Sequence, residues 1–183
     1  MKVFSAYLDA LARANGLPRD TQWLFYPGML QDSPDKWWDD FLFRHARHEG
    51  IDICYYRTPA QEKMQFIHDL RVPALDQGVV LNVSNDFLGK SLVLEHQGFC
   101  DFPDRVVIVY SHLSPAPGIG PGSVVEKDQI IAQVSDTRIK QSKLISHLHL
   151  SCVELPRTIP ADHLNWDLFP RRDKVRLINP VFL

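Results

Sequence analysis

At 183 residues the chain is long enough for one domain with a sizeable core, with at most a small appended element. Apolar residues make up 45% and charged residues 23%, the balance of an ordinary globular protein. A net charge of −2 argues against a surface built to grip nucleic-acid phosphates, and no apolar run approaches the roughly 20 residues of a membrane-spanning helix.

The N-terminal stretch places Phe4, Leu8, Leu11 and Ala12 on one face, with Asn15-Gly16 as a stop, and predicts an amphipathic helix. Asp9 and Arg13 inside it make a poor secretory signal. The sequence as given therefore reads as cytoplasmic, or as periplasmic or extracellular were an export signal trimmed. Ser33-Pro34 has the chemistry of a cap and first-turn proline, so Asp35 to Gly50, with Trp37, Trp38, Phe41 and Leu42, predicts a second helix. From Ile51 the character changes. IDICYY reads as a strand, and Ala60 to Leu70 fits helix or strand equally. Short β-type runs follow at Val72–Leu75, Val79–Val83, Ser91–Glu95, Val106–Tyr110, Val124–Val125, Gln129–Val134 and His147–Val153. Turn residues separate them, including the loop Pro115–Gly122. The expected fold is mainly β, a small antiparallel sandwich or barrel-like domain over residues 48–183, preceded by a helical extension over 1–47.

Cys54, Cys100 and Cys152 are odd in number and lack metal-binding spacing, so they read as buried thiols rather than a disulfide framework. Arg171, Arg172, Lys174 and Arg176 gather near the C-terminus and read as a solvated edge.

The histidines carry the chemical signal. His147 and His149 are two apart in a strand-like run, which projects both imidazoles to one side. His48 and Asp52 are four apart around Gly50, a spacing that lets both meet one metal, although His48 could equally end a helix. His112 follows the apolar run VVIVY, well placed to face a cleft. Each pattern alone is weak. His45 is a decoy at helical spacing from His48, and His68, His96 and His163 have no patterned neighbours.

Taken in order, HxxxD (His48 to Asp52), the Val72–Val80 segment, YSHL (Tyr110 to Leu113), the run Ser123–Thr137 and HLH (His147 to His149) resemble the lysostaphin/LytM-type zinc metallopeptidases with their duplicated-hybrid-motif fold. The resemblance covers about His48 to Val153. It implies one zinc ion per chain in a groove, held by His48, Asp52 and His149, with His112 and His147 as catalytic groups. It also implies a peptide or peptidoglycan substrate. The chain departs from the family pattern around HLH, where it reads Ile145-Ser146-His147-Leu148-His149-Leu150-Ser151 and lacks the usual Gly-Pro pair and the Glu at the position of Ser151. Two other readings stand beside the metalloendopeptidase: a non-catalytic peptidase-like binding module, and an intracellular zinc peptidase with a substrate outside the cell wall. The sequence sets no oligomeric state.

Overall fold

The first expected helix forms as α1, Val3–Ala14, and buries Phe4, Tyr7, Ala10, Leu11 and Ala12. Gly16 ends it with φ +67°, a backbone state that costs glycine little. The computed structural model describes residues 3–99, 102–140 and 143–183, so Cys100 lies outside the described residues. Asn15 then locks α1 onto the sheet, donating to the Arg71 carbonyl at 2.9 Å and accepting from the Arg71 amide at 2.8 Å.

Every β-type run of the sequence becomes a strand, and all the strand pairing is antiparallel. Among the described residues the strands are β1 (Gln22–Leu24), β2 (Ile51–Ile53), β3 (Tyr55–Thr58), β4 (Gln61–Phe66), β5 (Arg71–Pro73), β6 (Gly78–Asn85), β7 (Lys90–His96), β8 (Arg105–Pro115), β9 (Val124–Val125), β10 (Ile130–Val134), β11 (Leu148–Leu155) and β12 (Arg176–Ile178). The larger sheet runs β12-β11-β8-β7-β6-β9, with β2 bonded to β11, and β10 bridging β8 and β5. A small sheet, β1-β3-β4, stands apart from it. The ambiguous segment after Thr58 is thus strand. It forms a hairpin with β3, and β1 joins that hairpin on the other side of β3. No closed barrel forms among the described residues.

Alternation along β8 explains why the larger sheet is covered on both faces. Val106, Ile108 and Tyr110 enter one core with α1, β2, β5 and β10, while Val107 and Val109 enter a second core with Leu164, Phe169 and Val175 from the C-terminal segment. Cys152 is fully buried in the first core, pointing away from the histidine face as its strand position requires. Arg171, Arg172 and Arg176 pair with Asp173, Asp32 and Glu154 at the surface.

The second expected helix does not form. Residues 34–44 make an irregular hairpin closed by Lys36 N–H to the Leu42 carbonyl at 2.7 Å and Arg44 N–H to the Pro34 carbonyl at 2.7 Å. Asp39 and Phe41 take positive φ near its tip, which a helix forbids. The apolar residues also part company. Trp37 is 2% exposed, whereas Phe41, Leu42 and Phe43 are 58%, 60% and 72% exposed. A helical reading put Trp37, Phe41 and Leu42 on one buried face; the hairpin sends one inward and the others out.

Candidate metal centre

His48, Asp52 and His149 converge as a buried group able to hold a metal ion, their ligand atoms all within 4.8 Å of one another. Asp52 lies in β2 and His149 in β11, and the two are direct partners in the ladder. Gly50 makes this pairing possible. A Cβ there would lie 2.3 Å from the Leu150 carbonyl oxygen and 2.6 Å from Ser151 Oγ. Its role is therefore close approach of β2 to β11.

The contacts are short. His48 Nε2 lies 3.1 Å from Asp52 Oδ1 and 3.0 Å from His149 Nδ1, and His149 Nδ1 lies 2.8 Å from Asp52 Oδ1. His48 Nδ1 is 3.1 Å from the Leu30 carbonyl, which can only accept, so in the neutral ring Nδ1 carries the hydrogen and Nε2 the lone pair. That lone pair faces a carboxylate oxygen in a buried site, an arrangement that calls for a positive centre between them. Ligand atoms around a tetrahedral zinc lie about 3.3 Å apart, given zinc–nitrogen bonds of about 2.0–2.1 Å. The spacing and the N, N, O donor set both fit zinc.

Each of the three candidate ligands has an outer partner, as metal-binding histidines and carboxylates generally do. His149 Nε2 lies 2.8 Å from Ser151 Oγ. Ser151 stands where the family pattern has Glu, and it supplies an acceptor for the ring N–H. Asp52 Oδ2 accepts from Trp37 Nε1 at 2.6 Å and from Arg44 Nη2 at 3.5 Å. Burial alone would raise the Asp52 carboxyl, but the surrounding imidazoles, His48 foremost, reverse this and hold it well below the usual carboxylate range. Burial pushes His149 down to about 3 and His147 down to about 4 against the pull of Asp52. Both are neutral imidazoles at pH 7, the form that offers a lone pair.

His112 and His147 complete the cluster, with ring centroids 4.8 Å apart. His147 Nδ1 donates to the Ile145 carbonyl at 2.8 Å, which leaves the Nε2 lone pair 3.6 Å from Asp52 Oδ1. His112 sits inside β8 rather than at its end, where the strand leaves β11 and begins to pair with β10. The register against β7 slips there by one residue, a bulge, and His112 takes φ +67°. Asp86 fixes the result. It accepts from the His112 amide at 2.9 Å and from His112 Nδ1 at 3.1 Å. These bonds, with that of Ser91, outweigh burial and bring the Asp86 carboxyl below its ordinary range.

The cluster opens to a cleft walled by Trp38, Phe87, Leu144 and Trp166, with Arg44 and Glu49 at its margin. All five residues singled out from the sequence therefore meet in one place. The decoys do not join them: His45 is exposed, His96 is buried with Nε2 2.9 Å from the Tyr110 hydroxyl, and His68 packs edge-on against Phe66. Burial pushes the Cys54 thiol up, and Cys152 up to about 12, so neither offers a thiolate at neutral pH. Sequence reasoning missed Trp37, Arg44, Asp86 and Ser151. The adjacency of Ser151 to HLH was the one signal available, since i and i+2 share a strand face.

No family model matches the chain, and no curated protein matches it. Among solved structures it is similar to lysostaphin (14% identity, TM-score 0.49), covering 86% of this chain and 48% of that one. It is also similar to LytU (19% identity, TM-score 0.45, covering 73% of this chain and 74% of that one). A third is the catalytic domain of a mutant of the prophage-encoded M23 protein EnpA from Enterococcus faecalis (17% identity, TM-score 0.45, covering 86% and 92%). The chain thus spans about half the length of the lysostaphin structure.

Proposed function

We propose that this chain is a zinc-dependent metalloendopeptidase that hydrolyses peptide bonds, with peptidoglycan cross-links as the expected substrate. The observation that carries the reading is the convergence of His48, Asp52 and His149 on one another, with two further oriented imidazoles in the same cleft. His48 Nε2, Asp52 Oδ1 and His149 Nδ1 would hold the ion. With three protein ligands, a bound zinc supplies an open position, a water acidified to a pKa of about 7, and polarisation of a carbonyl.

The chain's own groups then divide the work. His147 keeps its Nδ1 hydrogen on Ile145, so Nε2 accepts the proton released when water adds to the scissile carbonyl. The same nitrogen returns that proton to the departing amine. His112, oriented through Nδ1 by Asp86, turns Nε2 to the cleft, and as an imidazolium paired with the Asp86 carboxylate it would donate Nε2–H to the carbonyl oxygen on which charge develops. A well-placed donor of this kind is worth about 3 kcal/mol.

The test is metal content by elemental analysis on untagged protein, followed by hydrolysis of cross-linked peptidoglycan and of isolated bridge peptides. About one zinc per chain with turnover supports the reading. Zinc without turnover on any peptide replaces it with the binding-module reading, and absence of zinc after dialysis against the metal sinks both metallopeptidase readings. No helix of the described residues is long and apolar enough to cross a membrane.

A further inference from the structure

The two oxygens of Asp52 have separate surroundings. Oδ1 faces His48, His147 and His149, while Oδ2 faces Trp37 and Arg44. Trp37 is almost wholly buried, and its indole N–H to Oδ2 distance of 2.6 Å is the shortest contact of the carboxylate. Its ring is held edge-on by Trp38 at 6.0 Å, Tyr55 at 5.9 Å and His147 at 5.2 Å. Arg44 is pinned as firmly. Its Nε donates to the Asp35 carbonyl at 2.9 Å, its Nη2 to the Gly28 carbonyl at 2.7 Å, and its guanidinium lies 4.6 Å over the Trp38 ring. Both residues come from the 34–44 hairpin, and Leu30, just before it, supplies the carbonyl that sets the His48 tautomer.

We infer that Trp37, supported by Arg44, is a positioning residue that makes Asp52 a one-oxygen ligand and thereby keeps the metal centre low in coordination number. The inference rests on the reading of His48, Asp52 and His149 as a metal centre. Its physical basis is occupancy: an oxygen that accepts a short indole bond and faces a guanidinium has its lone pairs directed away from the ion. A carboxylate with an idle second oxygen can swing to bind through both. Two-oxygen binding raises the coordination number and favours oxygen-seeking, larger cations over zinc. The hairpin is therefore part of the metal site, although it contributes no ligand.

Trp37→Phe keeps the ring and removes the donor. The comparison uses the full chain, with Trp23→Phe as control, since Trp23 gives its N–H to the Leu8 carbonyl away from the site. Zinc affinity is read by competition with a chromogenic chelator, and ligand number by the visible spectrum of the cobalt(II) form. Trp37→Phe should bind zinc about 10- to 100-fold more weakly, the usual effect of losing an outer-shell partner. Its cobalt band should fall from the intense four-coordinate form towards the weaker five-coordinate one, and its preference for zinc over manganese should narrow. Trp23→Phe should match wild type in all three. Should Trp37→Phe fail to fold, Arg44→Lys keeps the charge, loses the planar fork, and should shift the same quantities in the same direction. Zinc affinity and a cobalt spectrum unchanged in a folded Trp37→Phe, or in Arg44→Lys where that variant stands in, overturn the inference alone. Failure of wild type to bind zinc overturns the metal-centre reading beneath it.

Discussion

Asp52 and His149 are opposite residues of the β2–β11 ladder, and their side chains meet at 2.8 Å. Backbone pairing thus sets the distance between two of the three proposed ligands before any side chain adjusts. A slip of one residue would turn Asp52 to the other face of the sheet. The pairing depends on Gly50. Gly50→Ala must push β2 from β11, and it should destabilise the protein by more than about 1 kcal/mol while weakening zinc binding. Denaturant unfolding with and without zinc separates the two effects; equal stability and affinity to wild type would show that the strands can part without disturbing the site.

Removing a ligand should differ from removing the proton acceptor. Asp52→Ala and His149→Ala are expected to lose stoichiometric zinc. His147→Ala is expected to retain it and to lose hydrolysis by about 10²- to 10⁴-fold, the range for general-base groups. Elemental analysis and turnover on the same samples check this, and retained activity in His147→Ala would reassign the base.

Asp86→Asn keeps the shape of the side chain but removes the charge that orients His112. One charge-assisted hydrogen bond is worth about 1.5–3 kcal/mol, so kcat/KM should fall about 10- to 100-fold. Zinc content should stay at the wild-type level, because Asp86 touches none of the three ligands. Loss of zinc in this variant would instead mark Asp86 as part of the metal-holding framework.

Acid should destabilise the metal-free protein well before its carboxylates titrate. His147 and His149 sit at about 4 and about 3 when folded, below the ordinary histidine value of about 6.5 in an unfolded chain. Below pH 6.5 the unfolded state therefore binds protons that the folded state refuses, and stability declines as pH falls. The loss should amount to several kcal/mol between pH 6.5 and about pH 4, and it continues below that as the depressed Asp52 and Asp86 carboxylates add their own dependence. Urea midpoints across this window test it; a flat profile would mean that both rings are already protonated when folded. Zinc at 100 times its dissociation constant adds about 2.7 kcal/mol at neutral pH and less as the pH falls.

The strands were legible in the sequence, whereas the five candidate site residues were named there by the resemblance in motif order, each histidine pattern alone being weak. Alternation and turn residues are local signals for strands, but of HLH only Leu148 and His149 lie in β11, with His147 just before it. The hairpin at 34–44 was not legible, because Trp37, Phe41 and Leu42 match a helical spacing equally well. Only contacts with Asp52, Gly28 and Tyr55 decide where each goes, and those partners are distant in sequence or carry no pattern. Asp86 was hidden similarly. An Asn-Asp pair after a strand reads as an ordinary turn, and Asp86 does cap that turn through the Leu88 and Gly89 amides. Its bond to His112 exists only because the bulge in β8 brings that residue across.

The reacting groups and the cleft walls have different origins in the chain. Asp52, His112 and His149 belong to strands of one sheet, with His48 and His147 beside their ends. Trp38, Phe87, Leu144 and Trp166 all come from connecting segments. Lengthening or recolouring those segments would reshape what the cleft admits while the sheet keeps the chemistry in register. Under the proposed function, small changes in those four loops would alter which substrate fits without touching the residues that act on it.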